Sequence, residues 1–128
     1  MIKKILFCTP ATSAFTIPVR NAFVHLGYDT KIFDYQKGNI LSRSLGFTLN
    51  KLKISNTSLH LNVNAYINKQ LVSTVETWKP DIVFVIKGQE ITTDSLQQLK
   101  SHKTVLVNWY PDWMVVWNWI KTNASYYD

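Results

Sequence analysis

The chain predicts an α/β domain: a parallel sheet in the order 2-1-3-4, three layers deep, with helices on both faces. Three observations predict it. Ile82–Ile86 is an unbroken apolar run of mostly β-branched residues between Pro80 and Gly88, too short for a helix and typical of a strand buried on both faces. Ile5-Leu6-Phe7 and Val105-Leu106-Val107 are runs of the same kind. Between such runs lie helical stripes and glycine stops, the alternation of βαβ units.

The elements follow in order. Ile2–Cys8 is the first strand, and Thr9–Ser13 is a loop of small and hydroxyl residues. Phe15, Val19, Ala22, Phe23 and Leu26 share one face of a helix. Pro18 fits its first turn, where a missing N–H does no harm, and Gly27 ends it. Tyr28–Tyr35 alternates as the second strand. Leu41, Leu45, Leu49 and Leu52 have helical spacing, and Asn56 or Ser58 can cap a longer helix through Trp78. That helix carries the stripe Leu59, Val63, Tyr66, Ile67, Leu71, Val75 and Trp78. Pro80 and Asp81 open the third strand. Thr92-Thr93-Asp94 caps a short helix that turns Leu96 and Leu99 inward, and Thr104–Trp109 is the fourth strand. Met114–Lys121 reads as a helix that is apolar all round, and Ser125–Asp128 as the opening of a fifth strand.

Composition narrows the function classes. The 128 residues are one domain with a sizeable core, and 46% apolar against 17% charged residues argues against disorder. The net charge of +6 is scattered, with no basic block interleaved with aromatics, so no nucleic-acid partner is expected. Attraction to an anionic ligand or membrane surface stays open. Cys8 is the single cysteine and sits within the first strand, where a buried, inert thiol is expected. Lys3-Lys4 before Ile5–Cys8 imitates a signal peptide, but Thr9-Pro10 cuts the apolar stretch short. The chain therefore reads as cytoplasmic, with peripheral membrane contact as an option. His25, His60 and His102 lack ligand spacing, so no metal is expected. Neither a Gly-x-Gly-x-x-Gly motif, a phosphate loop nor a nucleophile elbow occurs, which speaks against a dinucleotide cofactor and against nucleotide hydrolysis.

A polar crevice remains. In open α/β sheets ligands bind beyond the carboxyl ends of the strands, where the strand order reverses. Here that point lies between the first and third strands, flanked by Thr9–Ser13 and Lys87–Glu90, with Trp109–Trp113 next door. Thr9, Thr12 and Ser13 can present hydroxyls to a hydroxylated or anionic group, or Thr12, Ser13 or Thr16 caps the helix. Gly88 permits close approach of a ligand or another backbone, or is a plain turn glycine. Lys87 and Glu90 are ligand contacts or a solvated pair. Asp112 is the best candidate for a functional carboxylate, although Asp after Pro111 is also ordinary turn chemistry. Tyr110 and Trp113 can stack on a sugar or base, or belong to a Trp-rich core or interface.

One family shares these features in this order: the Lys3–Phe7 strand, Leu26-Gly27-Tyr28-Asp29, Phe33-Asp34-Tyr35, Lys79-Pro80-Asp81-Ile82-Val83-Phe84-Val85-Ile86-Lys87-Gly88, Val107-Asn108-Trp109-Tyr110-Pro111-Asp112 and Tyr127-Asp128. The chain resembles the N-terminal half of GT-B glycosyltransferases of the family 1 and family 4 kind, especially the CgeB-like spore-maturation group. The resemblance implies a Rossmann-like domain that receives the acceptor. A C-terminal partner domain would bind the nucleotide-sugar donor, without a catalytic metal or other cofactor. Residues 1–128 would then be the acceptor-side half, inactive without the donor domain. An acceptor hydroxyl would attack the anomeric carbon while Asp112 or Glu90 takes its proton. The strand-four turn of that group often holds two acidic residues, whereas here Asp112 is followed by Trp113. The alternative is a freestanding flavodoxin-like binding or interaction module that dimerises or docks a partner through Trp113–Ile120.

Overall fold

The computed structural model describes residues 3–36, 57–112 and 118–128. Four strands, β1 (Lys4–Cys8), β2 (Asp29–Phe33), β3 (Ile82–Ile86) and β4 (Val105–Trp109), alternate with helices α1 (Thr16–His25), α2 (Thr57–Trp78), α3 (Thr93–Ser101) and α4 (Asn118–Asn123). A 3-10 turn at Ala124–Tyr126 follows α4. The sheet order is β2-β1-β3-β4 and every pairing is parallel, a Rossmann-like arrangement. Leu6 lies beside Val83, and Val83 beside Leu106, so one row of side chains runs across three strands.

The two faces are covered unequally. On one, Leu6, Cys8, Val83, Val85 and Leu106 form the core with Leu71 and Val75 of α2 and Leu96 and Leu99 of α3. On the other, α1 packs Phe23 against Phe7 and Phe84, with ring centroids 5.6 and 6.0 Å away. Beyond Phe84 none of the described helices packs over this face. Ile82 and Phe84 are half-buried and Val105 is 46% exposed. On this face β3 is thus half-buried at Ile82 and Phe84 and fully buried at Ile86, whereas β4 is exposed at Val105 and departs from the predicted burial on both faces; α1 meets β4 where Phe15 packs on Trp109.

Local chemistry explains the helix limits. Thr92 Oγ1 accepts the Ser95 N–H and caps α3 as expected. On α1 the N-cap is Phe15 and no side chain caps it, so the predicted hydroxyl cap is absent. In α2, Leu71, Val72 and Val75 turn inward but Tyr66 is 61% exposed, a departure from the predicted stripe. Asn68 is buried in its place because its amide donates to Glu90 O and its carbonyl accepts Thr92 N–H. The predicted leucine helix around residues 41–52 lies outside the described residues. Ser125–Asp128 does not open a fifth strand as expected: a 3-10 turn occupies Ala124–Tyr126, and Asp128 N–H then donates to Leu106 O at 2.8 Å.

Candidate functional site

Two loops meet at the carboxyl edge of the sheet beside the point where strand order reverses. Lys87, directly after β3, adopts a left-handed φ of 65°, uncommon for a residue with a Cβ. Its N–H donates to Trp109 O at 3.0 Å, and its carbonyl accepts the Asn108 amide at 3.1 Å. The next N–H, of Gly88, donates to the Tyr35 hydroxyl, which itself donates to Ile86 O at 2.8 Å. Bonds on both sides thus hold Lys87 in a conformation it would not choose. This backbone turn sends its ammonium group to Asp112, 2.6 Å from Oδ2.

The Lys87–Asp112 pair is the centre of what the crevice can do. Both side chains are partly exposed, 32% and 48%, so the pair contributes at most about 1 kcal/mol to stability. A small stabilising role leaves the two groups available to a ligand. Together they offer a cation for an anionic or hydroxyl oxygen and a carboxylate to accept a proton. Tyr110 stands beside them with its ring edge-on to Trp119, centroids 5.7 Å apart. Its phenol is pushed upward, first by desolvation and then by the Asp112 charge, with Lys87 opposing. Tyr110 is therefore a hydrogen-bond donor rather than a base.

The other predicted residues divide. Thr9 is fully buried; its hydroxyl lies 2.8 Å from that of Thr16 and 3.4 Å from Pro10 O, so it braces the loop. Thr12 is exposed, and Ser13 Oγ accepts Phe15 N–H at 3.4 Å. Gly88 is buried with φ 88°, and a Cβ there would lie 2.6 Å from Val85 Cγ1. Its openness is filled by the protein itself. Glu90 is half-buried at the end of the same loop, its carbonyl taken by Asn68. Trp113 lies outside the described residues.

Tyr35, Asn108 and Tyr127 line the inside of this edge; in the sequence they stand within stretches of the resemblance but not among the predicted site residues. Asn108 interrupts an apolar strand, a signal in itself, since a half-buried amide needs partners. The Tyr127 hydroxyl is buried beside Gly88 and has no hydrogen bond among the described residues. Desolvation raises the Tyr127 and Tyr35 phenols above their usual range, and the Cys8 thiol likewise. All three stay neutral, so Cys8 is no nucleophile. Among the described residues no group of His, Cys, Asp and Glu could hold a metal ion, and no helix is long and apolar enough to cross a membrane. Compared with known protein families, with curated proteins and with solved structures, the chain matches none.

Proposed function

We propose that residues 1–128 are the acceptor-side domain of a two-domain glycosyltransferase whose cleft is completed by a nucleotide-sugar-binding domain. The observation that carries this reading is the Lys87–Asp112 contact at the carboxyl edge, beside the switch point. The two residues come from two stretches of the resemblance, Lys79–Gly88 and Val107–Asp112, which the sheet order makes neighbours. In the proposed reaction the acceptor oxygen bonds to the anomeric carbon as the bond to the nucleoside diphosphate breaks. The hydroxyl proton passes to the Asp112 carboxylate, and Lys87 orients that carboxylate. Glu90 is the second candidate base. A cytoplasmic setting is part of the proposal, and cell fractionation tests it.

The test is nucleoside diphosphate release from a panel of nucleotide sugars by protein translated from the whole reading frame. Asp112→Asn should lower kcat about 100-fold or more with KM little changed. Turnover by the 128-residue chain alone, or an unimpaired Asp112→Asn enzyme, would overturn the reading. A freestanding binding module is the second reading; the Trp113–Ile120 segment it would use lies largely outside the described residues, and the exposed Phe15, Leu26 and Val105 are what favour it. A stop codon directly after Asp128 would shift the weight to it.

A further inference from the structure

Besides glycines, Lys79, Lys87 and Lys103 are the described residues with a left-handed φ. Lys79 and Lys103 come at the ends of α2 and α3, the ordinary place for such a conformation. Lys87 comes at the end of a strand, where no helix terminus calls for it. Backbone outliers of this kind cluster at ligand sites and persist only where their surroundings over-determine them.

One phenol oxygen accounts for much of that constraint. The φ and ψ of Lys87 are the orientations of the two rigid peptide planes that meet at its Cα. The Tyr35 hydroxyl donates to the carbonyl of the first plane, Ile86 O, at 2.8 Å. It also accepts the N–H of the second plane, that of Gly88, at 3.2 Å. β4 holds the opposite edges of the same planes. Trp109 O accepts the Lys87 N–H at 3.0 Å, and the Asn108 amide donates to Lys87 O at 3.1 Å. Tyr35 is 2% exposed, and desolvation pushes its phenol upward, so it keeps the proton that it gives to Ile86. A second phenol under the turn supplies the contrast. The Tyr127 oxygen would lie 3.3 Å from a Cβ at Gly88, yet it has no hydrogen bond among the described residues. Both rings pack in or against the core, but only Tyr35 grips the backbone.

We propose that Tyr35 is a positioning residue for the Lys87–Asp112 pair: by gripping the backbone on both sides of Lys87, its hydroxyl sets where the Lys87 ammonium group stands. Tyr35 follows β2 and reaches past β1 to do so, since β1 lies between β2 and β3. Without the grip, Lys87 relaxes to a negative φ, which re-aims its Cβ and carries the ammonium group away from Asp112. In what it says of turnover the inference rests on the glycosyltransferase reading; in what it says of Lys87 it does not.

The test compares Tyr35→Phe, which deletes only the gripping oxygen, with Tyr127→Phe, which deletes an unpartnered one. In the 128-residue chain, NMR reads the φ of Lys87 from its three-bond couplings. The ion pair is read from nuclear Overhauser contacts between Lys87 Hε and Asp112 Hβ. Tyr35→Phe should bring Lys87 to a negative φ and abolish those contacts, whereas Tyr127→Phe should leave both as they are. In protein translated from the whole reading frame, Tyr35→Phe should lower kcat about 10-fold or more with KM little changed. In a Lys87→Met background it should lower kcat no further, because the group it positions is gone. A left-handed Lys87 that persists in Tyr35→Phe, equal effects of the two Phe variants, or a second loss of kcat in the Lys87→Met background would each overturn the proposal. If Tyr35→Phe does not fold, the same change is made in Lys87→Gly, since glycine takes a left-handed turn without help. Recovery of the native circular dichroism is then expected, and continued failure to fold would overturn the proposal. The expected NMR changes, together with no nucleoside diphosphate release by the unaltered enzyme, would sink the glycosyltransferase reading and leave the positioning of Lys87 standing.

Discussion

Gly88 sits at the tightest point of the crevice wall. An added methyl would stand 2.6 Å from Val85 Cγ1 and 3.3 Å from the Tyr127 hydroxyl, with φ at 88°. Gly88→Ala should therefore destabilise the domain by about 2–4 kcal/mol, read as a lower urea midpoint with unchanged slope. Asn68 is the comparable case on the far side of the same loop. Asn68→Ala strands the Thr92 N–H and the Glu90 carbonyl, at a cost of about 1–3 kcal/mol, measurable the same way. Neither cost is visible in the residue type. Gly88 reads equally as a turn or as a ligand seat, and only the packing of Val85 and Tyr127 decides between them. Asp112 was legible as a turn carboxylate beside aromatics; that Lys87 is its partner was not, because they are 25 positions apart and joined only by β3–β4 pairing.

Among the elements, the helix ends carry a repeated device. Lys79 and Lys103 follow α2 and α3 in the left-handed region, φ 51° and 57°, where glycine is the usual residue. Each pays a steric penalty of roughly 1 kcal/mol. Lys79→Gly and Lys103→Gly should each raise stability by up to about 1 kcal/mol, read as a higher thermal midpoint, and their shifts should couple rather than add because the two ends line one cavity and are joined by the Thr104 hydroxyl on Pro80 O. The helices themselves were legible from spacing, with one consistent error. Spacing identifies the stripe of a helix but not how far the sheet extends beneath it. For α1 the covered residues are Thr16, Val19 and Phe23, while Phe15, Ala22 and Leu26 of the predicted stripe are exposed. In α2 Tyr66 and Asn68 exchange expected places, because a hydrogen-bonding demand from the Glu90–Thr92 loop outweighs the gain from burying one aromatic ring.

For the molecule as a whole, the open edge of β4 is where stability meets pH. The Asp128 carboxylate accepts the Leu106 N–H at 3.0 Å and lies 3.3 Å from Lys100, and its own N–H donates to Leu106 O. The Leu106 N–H, and after it Lys100, hold the Asp128 carboxyl below its ordinary value of 3.8. A group with a depressed folded value binds fewer protons folded than unfolded. Its contribution is present above the unfolded value and lost as pH falls through the folded one. Denaturation midpoints should thus fall between about pH 5 and pH 3, and less steeply in Asp128→Asn. Equal slopes in the two proteins would show that this edge contact carries no acid sensitivity.

By itself the sequence determined the class of the fold, the strand order and the loops at the crevice, because apolar runs and helical stripes encode burial over a few neighbouring residues and right-handed crossovers limit how those pieces connect. The same locality kept the rest out of reach. That Lys87 is bent into a left-handed turn by Tyr35 and Asn108, that Thr9 faces inward, and that Val105 is left exposed are consequences of contacts across tens of residues. Only the tertiary structure decided them, because a side chain's partners are set by which strands pair and how far each helix reaches across the sheet.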